Sequence, residues 1–277
     1  MAIPYQQVFQ FPRNTENELK VNKDLAIIRN YFNYDNKLYR NGVIVECGTA
    51  EGWHDPGTFL EKNMGWKFIG FEVDPLFWPQ FLINRSSATV LKINKALTNI
   101  DGPVHFTVSA WGGNSSLQHS KEHQQELMGF KKTFQDGTYF KDITVQGITW
   151  NTFIKQYKIT KVNLFILDVE GCEVKVLEGM KDCDVMPDVM MVEFSRSDYN
   201  NTLMNEETKE DFSGFKIIKD KLKELGYDFD YVSDNNALFS KPNFWAGKTK
   251  PTTWFGEDTQ FEHLGYIRYD KEKCKNL

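Results

Sequence analysis

Three carboxylate residues stand where apolar runs of the sequence end. Asp168 and Glu170 follow the run at 162 to 167, and Glu193 lies near the end of the run at 188 to 194. A carboxylate at the end of a buried strand is well placed to take a proton from a hydroxyl group, or to share a Mg²⁺ ion with neighbouring carboxylates. The sequence therefore predicts Asp168 as the first candidate catalytic residue and Glu170 as the second, and all three carboxylates as the ligands if a metal is bound.

A glycine-punctuated turn follows the apolar run at 43 to 47 and indicates a ligand site. Glycine lets the backbone approach a ligand closely, and the N-terminus of a following helix offers unpaired N–H groups. Glu72 ends the next apolar run and lies 20 residues after Gly52. From that position a carboxylate accepts hydrogen bonds from both hydroxyl groups of a ribose. The turn and Glu72 together predict a ligand that carries a ribose.

This turn differs at one position from the dinucleotide-binding fingerprint G-x-G-x-x-G. Ala50 stands where the middle glycine belongs, and that glycine is the one that lets the backbone approach a pyrophosphate. An NAD-linked oxidoreductase or epimerase on a similar sheet is therefore the second hypothesis for this chain. A catalytically silent binding module is the third, although Glu72 and Asp168 argue against it.

Histidine side chains supply further candidate bases. His54 follows the glycine turn and is our third candidate catalytic residue, because an imidazole there is predicted to reach a bound substrate. His119 and His123 lie in a long irregular stretch that could bring an imidazole over the site. Ser115 and Ser116 precede them in a Gly-Gly-Asn-Ser-Ser run, which is also typical of a turn.

The composition limits the class of protein. The chain has 277 residues and a formal net charge of −5, which argues against a duplex nucleic-acid binder with a concentrated basic face. Its four cysteines form no C-x-x-C pair, so we expect neither a zinc site nor a disulfide framework. No run approaches the ~20 apolar residues of a membrane span, and residues 1 to 6 lack the layout of a signal peptide. These features predict a cytoplasmic protein.

Strands and helices that alternate along the chain must position these residues. Apolar runs predict strands at 43–47, 67–72, 89–93, 104–108, 143–145, 162–168, 188–194, 227–232 and 237–239. Helical spacing predicts helices at 57–63, 75–84, 149–157, 172–180 and 212–225. Such a chain forms an α/β fold with a mostly parallel sheet that is covered on both faces. The ligand is then expected at the carboxyl ends of the strands, at the topological switch point.

Three regions flank or interrupt this alternation. Residues 1–40 are polar but carry apolar residues at helical spacing, which predicts a helical N-terminal extension. Residues 109–142 show no clear period and predict an insertion, either a lid over the site or a surface loop. Residues 241–277 are rich in aromatic side chains and are predicted to pack on the main domain at 41–240. Two alternative roles for this tail are an aromatic platform for the substrate and a homodimer contact.

A series of short motifs runs through residues 40 to 200. Its members are Val45 to Gly52, Gly70 to Pro75, Asn84, Lys95 to Leu97 with Asp101-Gly102, Asn114 to Leu117, Leu167 to Glu173, Val176 to Gly179 and Val192-Glu193. A single match to the first motif occurs by chance, whereas a whole ordered series hardly does. The series resembles that of the FkbM-type S-adenosylmethionine-dependent methyltransferases, and its D-V-E-G-x-E block is the most specific part.

The resemblance implies a class I methyltransferase fold, which is Rossmann-like, with a seven-stranded, mostly parallel sheet and helices on both faces. It also implies S-adenosylmethionine as the cofactor, with Mg²⁺ in addition if the carboxylates bind a metal. The implied reaction is O-methylation of a hydroxyl group on a sugar, a glycan or a secondary metabolite. A small-molecule or glycan acceptor is therefore the expected partner.

The resemblance also implies roles for individual residues. The glycine turn is expected to contact the methionine end of the cofactor, and Glu72 with Val73 is expected to contact the ribose. The stretch from Asn94 through Lys95 to Ala96 is expected to lie near the adenine. Many relatives of the wider fold have an acidic residue in this stretch, and this chain has none. Ser115, Ser116 and Asp168 are expected near the cofactor or the substrate. The residues assigned to the turn are Glu46, Gly48, Thr49, Ala50 and Gly52.

Overall fold

Strands and helices alternate in the computed structural model, which describes residues 27–28, 30–34, 37–52, 57–87, 89–117, 121–129, 131–194, 215–233, 236–252 and 254. The strands are β1 (Asn33–Tyr34), β2 (Lys37–Leu38), β3 (Val43–Cys47), β4 (Lys67–Phe71), β5 (Val90–Ile93), β6 (Ala96–Leu97), β7 (Gly102–Ser109), β8 (Phe140–Ile148), β9 (Leu164–Leu167), β10 (Val189–Glu193), β11 (Asp228–Ser233) and β12 (Asn236–Ser240). The helices are α1 (Gly57–Met64), α2 (Trp78–Asn84), α3 (Lys121–Gly129), α4 (Trp150–Gln156), α5 (Glu173–Glu178) and α6 (Phe215–Glu224). A 3₁₀ turn covers Pro242–Trp245.

The central sheet has seven strands in the order β11-β12-β10-β9-β3-β4-β5. Strands β10, β9, β3, β4 and β5 are parallel, and β12 is antiparallel to both β10 and β11. This is the seven-stranded, mostly parallel sheet that the resemblance implies, with the antiparallel pair β11 and β12 at one edge. The chain builds β4 and β5 on one side of β3 and then returns to the other side as β9. The topological switch point therefore lies between β3 and β9.

Two apolar layers cover the two faces of this sheet. One contains buried side chains of α4, α5 and α6, and the other contains those of α1 and α2. Strand β3 contributes to both, because successive side chains of a strand point to opposite faces. Val45 packs into the first layer and Ile44 into the second. Since β3 and β9 are buried on both sides, their sequences are continuous apolar runs rather than alternating ones.

A second, three-stranded sheet has the order β6-β8-β7. Strands β7 and β8 are antiparallel over eight residue pairs from Gly102↔Gly147 to Ser109↔Phe140. The sequence predicts the middle of both strands. It does not predict that they pair with each other in a separate sheet. The stretch after β7 that the sequence predicts as irregular contains α3 and the start of β8. The sequence does not reveal these elements, because the mixed composition of this stretch shows no helical or strand period.

Aromatic rings join residues near both ends of the described chain to the edge of the main sheet. Tyr31 stacks on Trp254 with ring centroids 5.5 Å apart, and Trp254 stacks on Tyr231 at 5.0 Å. The Tyr31 hydroxyl donates a hydrogen bond of 2.8 Å to the carboxylate of Asp230, and Lys250 forms an ion pair with the same carboxylate at 2.6 Å. Within the described residues, no helix is long and apolar enough to cross a membrane.

Candidate active site

A cleft opens where β3, β4 and β9 end. Its walls combine apolar side chains such as Phe71, Leu97 and Phe106 with acidic ones. The residues predicted from the sequence that line it are Gly48, Ala50, Glu72, Val73, Lys95, Ala96, Ser115, Asp168 and Glu170. The strand order thus brings together residues that are up to 122 positions apart in the sequence, from Gly48 to Glu170.

Gly48 sets the distance between the two central loops of the cleft. Its φ is +85°, and a Cβ atom at this position would lie 1.7 Å from the carbonyl oxygen of Asp168. The Asp168 N–H donates a hydrogen bond of 3.1 Å to the carbonyl of Cys47 in the same place. The backbone after β3 therefore lies directly against the backbone after β9, and only glycine permits this contact. Ala50 also has a positive φ, +47°.

Helix α2 holds the glycine turn from behind. Asn84 donates a hydrogen bond of 2.7 Å to the carbonyl of Glu51, and Arg85 Nε donates one of 2.8 Å to the carbonyl of Gly52. The fully buried Arg85 guanidinium also forms an ion pair with Glu61. Removing one partner of a buried ion pair costs about 3–5 kcal/mol, so this clamp is a strong constraint on the turn. Sequence reasoning missed Arg85, since arginine is usually a surface residue.

Five predicted cofactor residues lie behind the lining of the cleft. Glu46, Thr49 and Gly52 are buried within or beside the glycine turn. Asn94 donates a hydrogen bond of 2.8 Å to the backbone carbonyl of Glu72. The Ser116 hydroxyl donates one of 3.3 Å to the backbone of Val169. In this structure these residues support the cleft walls.

Glu72 presents a buried carboxyl group at the end of β4. Its Oε1 accepts a hydrogen bond of 2.7 Å from the N–H of Asp74. Burial raises the pKa of Glu72 to about 8, although hydrogen bonds from the backbone N–H groups of Asp74, Ala50 and Val73 act in the opposite direction. The group is therefore protonated in large part at neutral pH. A partner that donates hydrogen bonds to it, such as a ribose, would favour its ionised form.

The three predicted carboxyl groups meet at one end of the cleft. Oxygen atoms of Asp168, Glu170 and Glu193 all lie within 4.8 Å of one another. Burial and the charge of Asp168 raise the pKa of both Glu170 and Glu193 well above the ordinary value, and Glu193 also shares a hydrogen bond with Asp168. Like charges this close oppose simultaneous ionisation, so protons are shared within the cluster. The arrangement places Asp168 beside two carboxyl groups, those of Glu170 and Glu193, whose raised pKa values favour their protonated forms.

Glu173 holds the turn that carries this cluster. Its Oε1 accepts hydrogen bonds from the N–H groups of Val169 at 3.1 Å and Gly171 at 3.2 Å. Burial raises the pKa of Glu173 to about 7. Glu170 lies between the two bonded residues with a φ of +55°, a region that non-glycine residues seldom occupy. Glu173 therefore stabilises an unfavourable backbone conformation at a candidate catalytic residue.

The histidines predicted as bases are not tested by the described part of the structure. His54 and His119 lie outside the described residues, and His123 falls in α3. The structure adds lining residues that sequence reasoning did not select. Asp74 is one of them, and the apolar residues include Phe77, Phe106 and Leu117. Apolar cleft walls have the same sequence signal as core residues, so no pattern distinguished them.

A model of the methyltransferase FkbM domain matches residues 46–229 of this chain. The chain belongs to the FkbM methyltransferase domain family. The matched segment of this FkbM domain contains the glycine turn from Gly48 onward, Glu72 and all three clustered carboxylates. The site described above therefore lies within the part of the chain that defines the family.

Solved structures that are similar to this chain include three proteins with low sequence identity. Fibrillarin from Aeropyrum pernix, in complex with natively bound S-adenosyl-L-methionine, has 13% sequence identity and a TM-score of 0.38 over 73% of this chain and 66% of its own. The small RNA methyltransferase HEN1 has 10% identity and a TM-score of 0.38 over 83% of this chain and 27% of its own. A SAM-dependent methyltransferase from Aquifex aeolicus has 9% identity and a TM-score of 0.33 over 72% and 80%.

This chain spans just under two thirds of the fibrillarin and about a quarter of HEN1. No curated protein sequence matches it. The family assignment therefore depends on the FkbM domain match alone.

The contact at Gly48 predicts a large loss of stability on substitution. In the FkbM domain, Gly48→Ala must separate the β3 and β9 loops, and we expect the free energy of unfolding to fall by roughly 3 kcal/mol or more. Gly137→Ala is the matched control, because its φ is also positive, +80°, but a Cβ there has nothing within 4 Å. The control should lose only about 1–2 kcal/mol, from backbone strain. Equal losses in urea unfolding would contradict the importance of the contact.

Proposed function

We propose that this protein is an S-adenosylmethionine-dependent O-methyltransferase that acts on a hydroxyl group of a sugar, a glycan or a secondary metabolite. The observation that carries the proposal is the convergence of the glycine turn, Glu72 and Asp168 on one cleft at the topological switch point. Membership of the FkbM family supports the same reaction class. We propose oxygen as the acceptor atom because the carboxyl cluster can take the proton of a hydroxyl group.

The chemistry of the lining fits the cofactor. We assign the methionine end to the backbone at Gly48 and Ala50, and the ribose hydroxyl groups to the carboxylate of Glu72. Apolar walls at Leu97 and Phe106 suit a flat adenine ring. Lys95 lines the same wall where relatives of the wider fold have an acidic residue, so adenine would meet a hydrogen-bond donor there instead of an acceptor.

The carboxyl cluster supplies the base that the reaction needs. When bound, S-adenosylmethionine would supply a methyl group on its sulfonium sulfur. A hydroxyl oxygen in line with the S–C bond would form a bond to the methyl carbon as the S–C bond breaks, with S-adenosylhomocysteine as the leaving group. A sugar hydroxyl is a poor nucleophile at neutral pH, so its proton must be taken as the new bond forms. We assign this proton to the carboxylate of Asp168, which lines the cleft. Glu170 is beside it in the same wall and orients the acceptor by a hydrogen bond.

The same three carboxyl groups form the candidate Mg²⁺ site of this protein. Oxygen ligands in such a cluster suit Mg²⁺, which would hold all of them ionised. We propose the reaction without a metal, because protons shared by Glu170 and Glu193 already offset the mutual repulsion of the cluster. A chelator distinguishes the two arrangements.

The acceptor is proposed to be a neutral polyhydroxy compound and not a nucleic acid. A net charge of −5 disfavours an approach by phosphate groups, whereas clustered carboxyl groups can hydrogen-bond to neutral hydroxyl groups. The described cysteines, Cys47, Cys172 and Cys183, are free thiols, which supports the proposed cytoplasmic location. The homodimer contact stays a prediction.

Calorimetric titration tests the cofactor assignment. We expect S-adenosylhomocysteine to bind the protein and NAD to give no heat of binding, because the glycine turn lacks the dinucleotide fingerprint. Binding of NAD alone would indicate the oxidoreductase or epimerase instead, and binding of neither would indicate a silent module. A screen of sugar, glycan and small-molecule acceptors with methyl-labelled cofactor then identifies the hydroxyl group that is methylated.

The raised pKa of Glu72 predicts that cofactor affinity depends on pH. Ribose hydroxyl groups favour the ionised carboxylate, so binding below pH 8 must release a proton. We expect the Kd of S-adenosylhomocysteine to fall about tenfold per pH unit up to pH 8 and then to level off. Glu72→Gln should bind weakly and without this pH dependence. A wild-type Kd that is constant from pH 6 to 9 would argue against a ribose contact at Glu72.

Asp168→Asn should remove the base and keep the fold. We expect kcat to fall by about 10²–10⁴-fold, with the Kd for S-adenosylhomocysteine changed by less than about tenfold. Asp182→Asn, at an exposed position, is the control and should keep full activity. Wild-type kcat in Asp168→Asn would rule out the assigned role.

Turnover of the wild-type protein should persist in EDTA. A loss of turnover that Mg²⁺ restores would instead assign the carboxyl cluster to a metal.

A further inference from the structure

The second sheet reaches the cleft through the segment that follows β7. In this segment Ser116 forms an antiparallel bridge with Thr107, through two backbone hydrogen bonds of 2.8 and 3.1 Å. The N–H of Ser109 donates a hydrogen bond of 2.9 Å to the hydroxyl group of Ser115. Because β7 is paired with β8 along its whole length, these bonds fix Ser115 to the second sheet.

The same segment contacts the cleft wall that follows β4 at two points. The Ser115 hydroxyl donates a hydrogen bond to Asp74 Oδ2. Gly112 lies against the ring of Phe77, since a Cβ atom on this glycine would be 3.0 Å from Phe77 Cζ. Asp74, Phe77 and Ser115 all line the cleft. The second sheet is therefore joined to this wall beside the space that we assign to the cofactor.

Asp74 lies in the turn between β4 and α2 and is only 2% exposed. Its Oδ1 accepts a hydrogen bond of 2.7 Å from the N–H of Leu76, and its carbonyl accepts bonds from the N–H groups of Phe77 and Trp78 at 3.1 and 2.8 Å. These bonds join residues that are close in sequence and shape the turn itself. The bond from Ser115 spans 41 positions, so it is the one of this group that fixes the turn relative to the second sheet.

The N–H of Asp74 holds the carboxyl group of Glu72, through a hydrogen bond of 2.7 Å to Glu72 Oε1. The backbone of Glu72 is fixed separately. Its N–H donates a hydrogen bond of 3.1 Å to the carbonyl of Ile93, and its own carbonyl accepts one of 2.8 Å from the Asn94 side chain. The place of the carboxyl group therefore depends on where the turn puts the N–H of Asp74.

We propose that Ser115 and Asp74 are positioning residues for the ribose of the cofactor. The Ser115 hydroxyl fixes Asp74, and the N–H of Asp74 holds the Glu72 carboxyl group where it accepts hydrogen bonds from the ribose hydroxyl groups. This inference rests on the proposed function, because that function assigns the ribose to Glu72. The second sheet thereby contributes to cofactor affinity through one side-chain hydrogen bond.

Calorimetric titration with two ligands tests this inference. The ligands are S-adenosylhomocysteine and its 2′-deoxy analogue, which lacks one hydroxyl group that Glu72 would bind. We expect wild type to bind the analogue about 10–100-fold more weakly, because a hydrogen bond to a charged group is lost. Ser115→Ala should raise the Kd of S-adenosylhomocysteine about tenfold and that of the analogue less than about threefold, since only the first ligand loses the full ribose contact.

Two control variants separate positioning from a general loss of structure. Ser115→Thr keeps the hydroxyl group and should bind both ligands within about threefold of wild type. Ser240→Ala also removes a serine hydroxyl, which accepts a hydrogen bond of 2.8 Å from Trp245 Nε1. Ser240 pairs with Val189 at the start of β10, at the end of the sheet opposite the cleft, so this variant should keep both wild-type Kd values. Equal weakening of both ligands in Ser115→Ala would indicate a purely structural role and overturn the inference.

A double variant tests whether Ser115 acts through Asp74. In Asp74→Ala the Ser115 hydroxyl has lost the carboxyl group to which it donates. Adding Ser115→Ala should therefore change the Kd of S-adenosylhomocysteine by less than about twofold. Additive losses in the double variant would contradict the proposed path.

Failure of the proposed function and failure of this inference give different results. The proposed function fails if wild type does not bind S-adenosylhomocysteine. The inference fails if wild type binds it and Ser115→Ala keeps the wild-type ratio of the two Kd values. It also fails if wild type binds both ligands equally, because Glu72 would then make no contact with the 2′-hydroxyl group.

Discussion

The site depends on the close approach of two backbone segments at Gly48. With no Cβ there, the loop after β3 lies against the carbonyl oxygen of Asp168, and the two strand ends open into one cleft. Two features of the site adjoin that contact: the turn whose Gly52 carbonyl bonds Arg85, and the wall that carries Asp168. Since the contact is between backbone groups, it does not vary with side-chain rotamers, and it can hold charged groups at fixed separations.

Electrostatics at the site is dominated by buried carboxyl groups. Glu72, Glu170, Glu173 and Glu193 all have pKa values raised by burial. A protein tolerates such groups by leaving protons on some of them and by directing backbone N–H groups at others, as at Glu72 and Glu173. These carboxyl groups can therefore exchange protons and accept hydrogen bonds at the place where, in the proposed reaction, a hydroxyl group must lose its proton. Stability is reduced for these groups as pH rises from their ordinary pKa towards the raised one, because the folded state retains protons that the unfolded chain releases.

The sequence was sufficient to predict the main sheet and the residues at its strand ends. Buried parallel strands are continuous apolar runs, and Glu72 and Asp168 each follow one, so their convergence follows from strand order. This reasoning did not select Arg85 or Asp74. Each acts through a tertiary contact with a residue distant in sequence, such as the 33 positions between Arg85 and Gly52. Strand β6, with two residues, and α3, in a polar region, carry too few apolar positions to show a period. The apolar cleft walls are indistinguishable from core in composition.

The pairing of β7 with β8 has a consequence for how this protein can change in evolution. Their eight residue pairs fix the two points where the segment between them leaves and rejoins the fold. Insertions, deletions or substitutions between those points leave the register of the central sheet unchanged, since loop closure depends only weakly on length. Residues 115 and 116 of this segment are more constrained, because Ser115 bonds Asp74 and Ser116 bonds the backbone of Val169 across the cleft. The rest of the segment between β7 and β8 can change in length without moving the strands that carry Glu72 and Asp168 to the cleft.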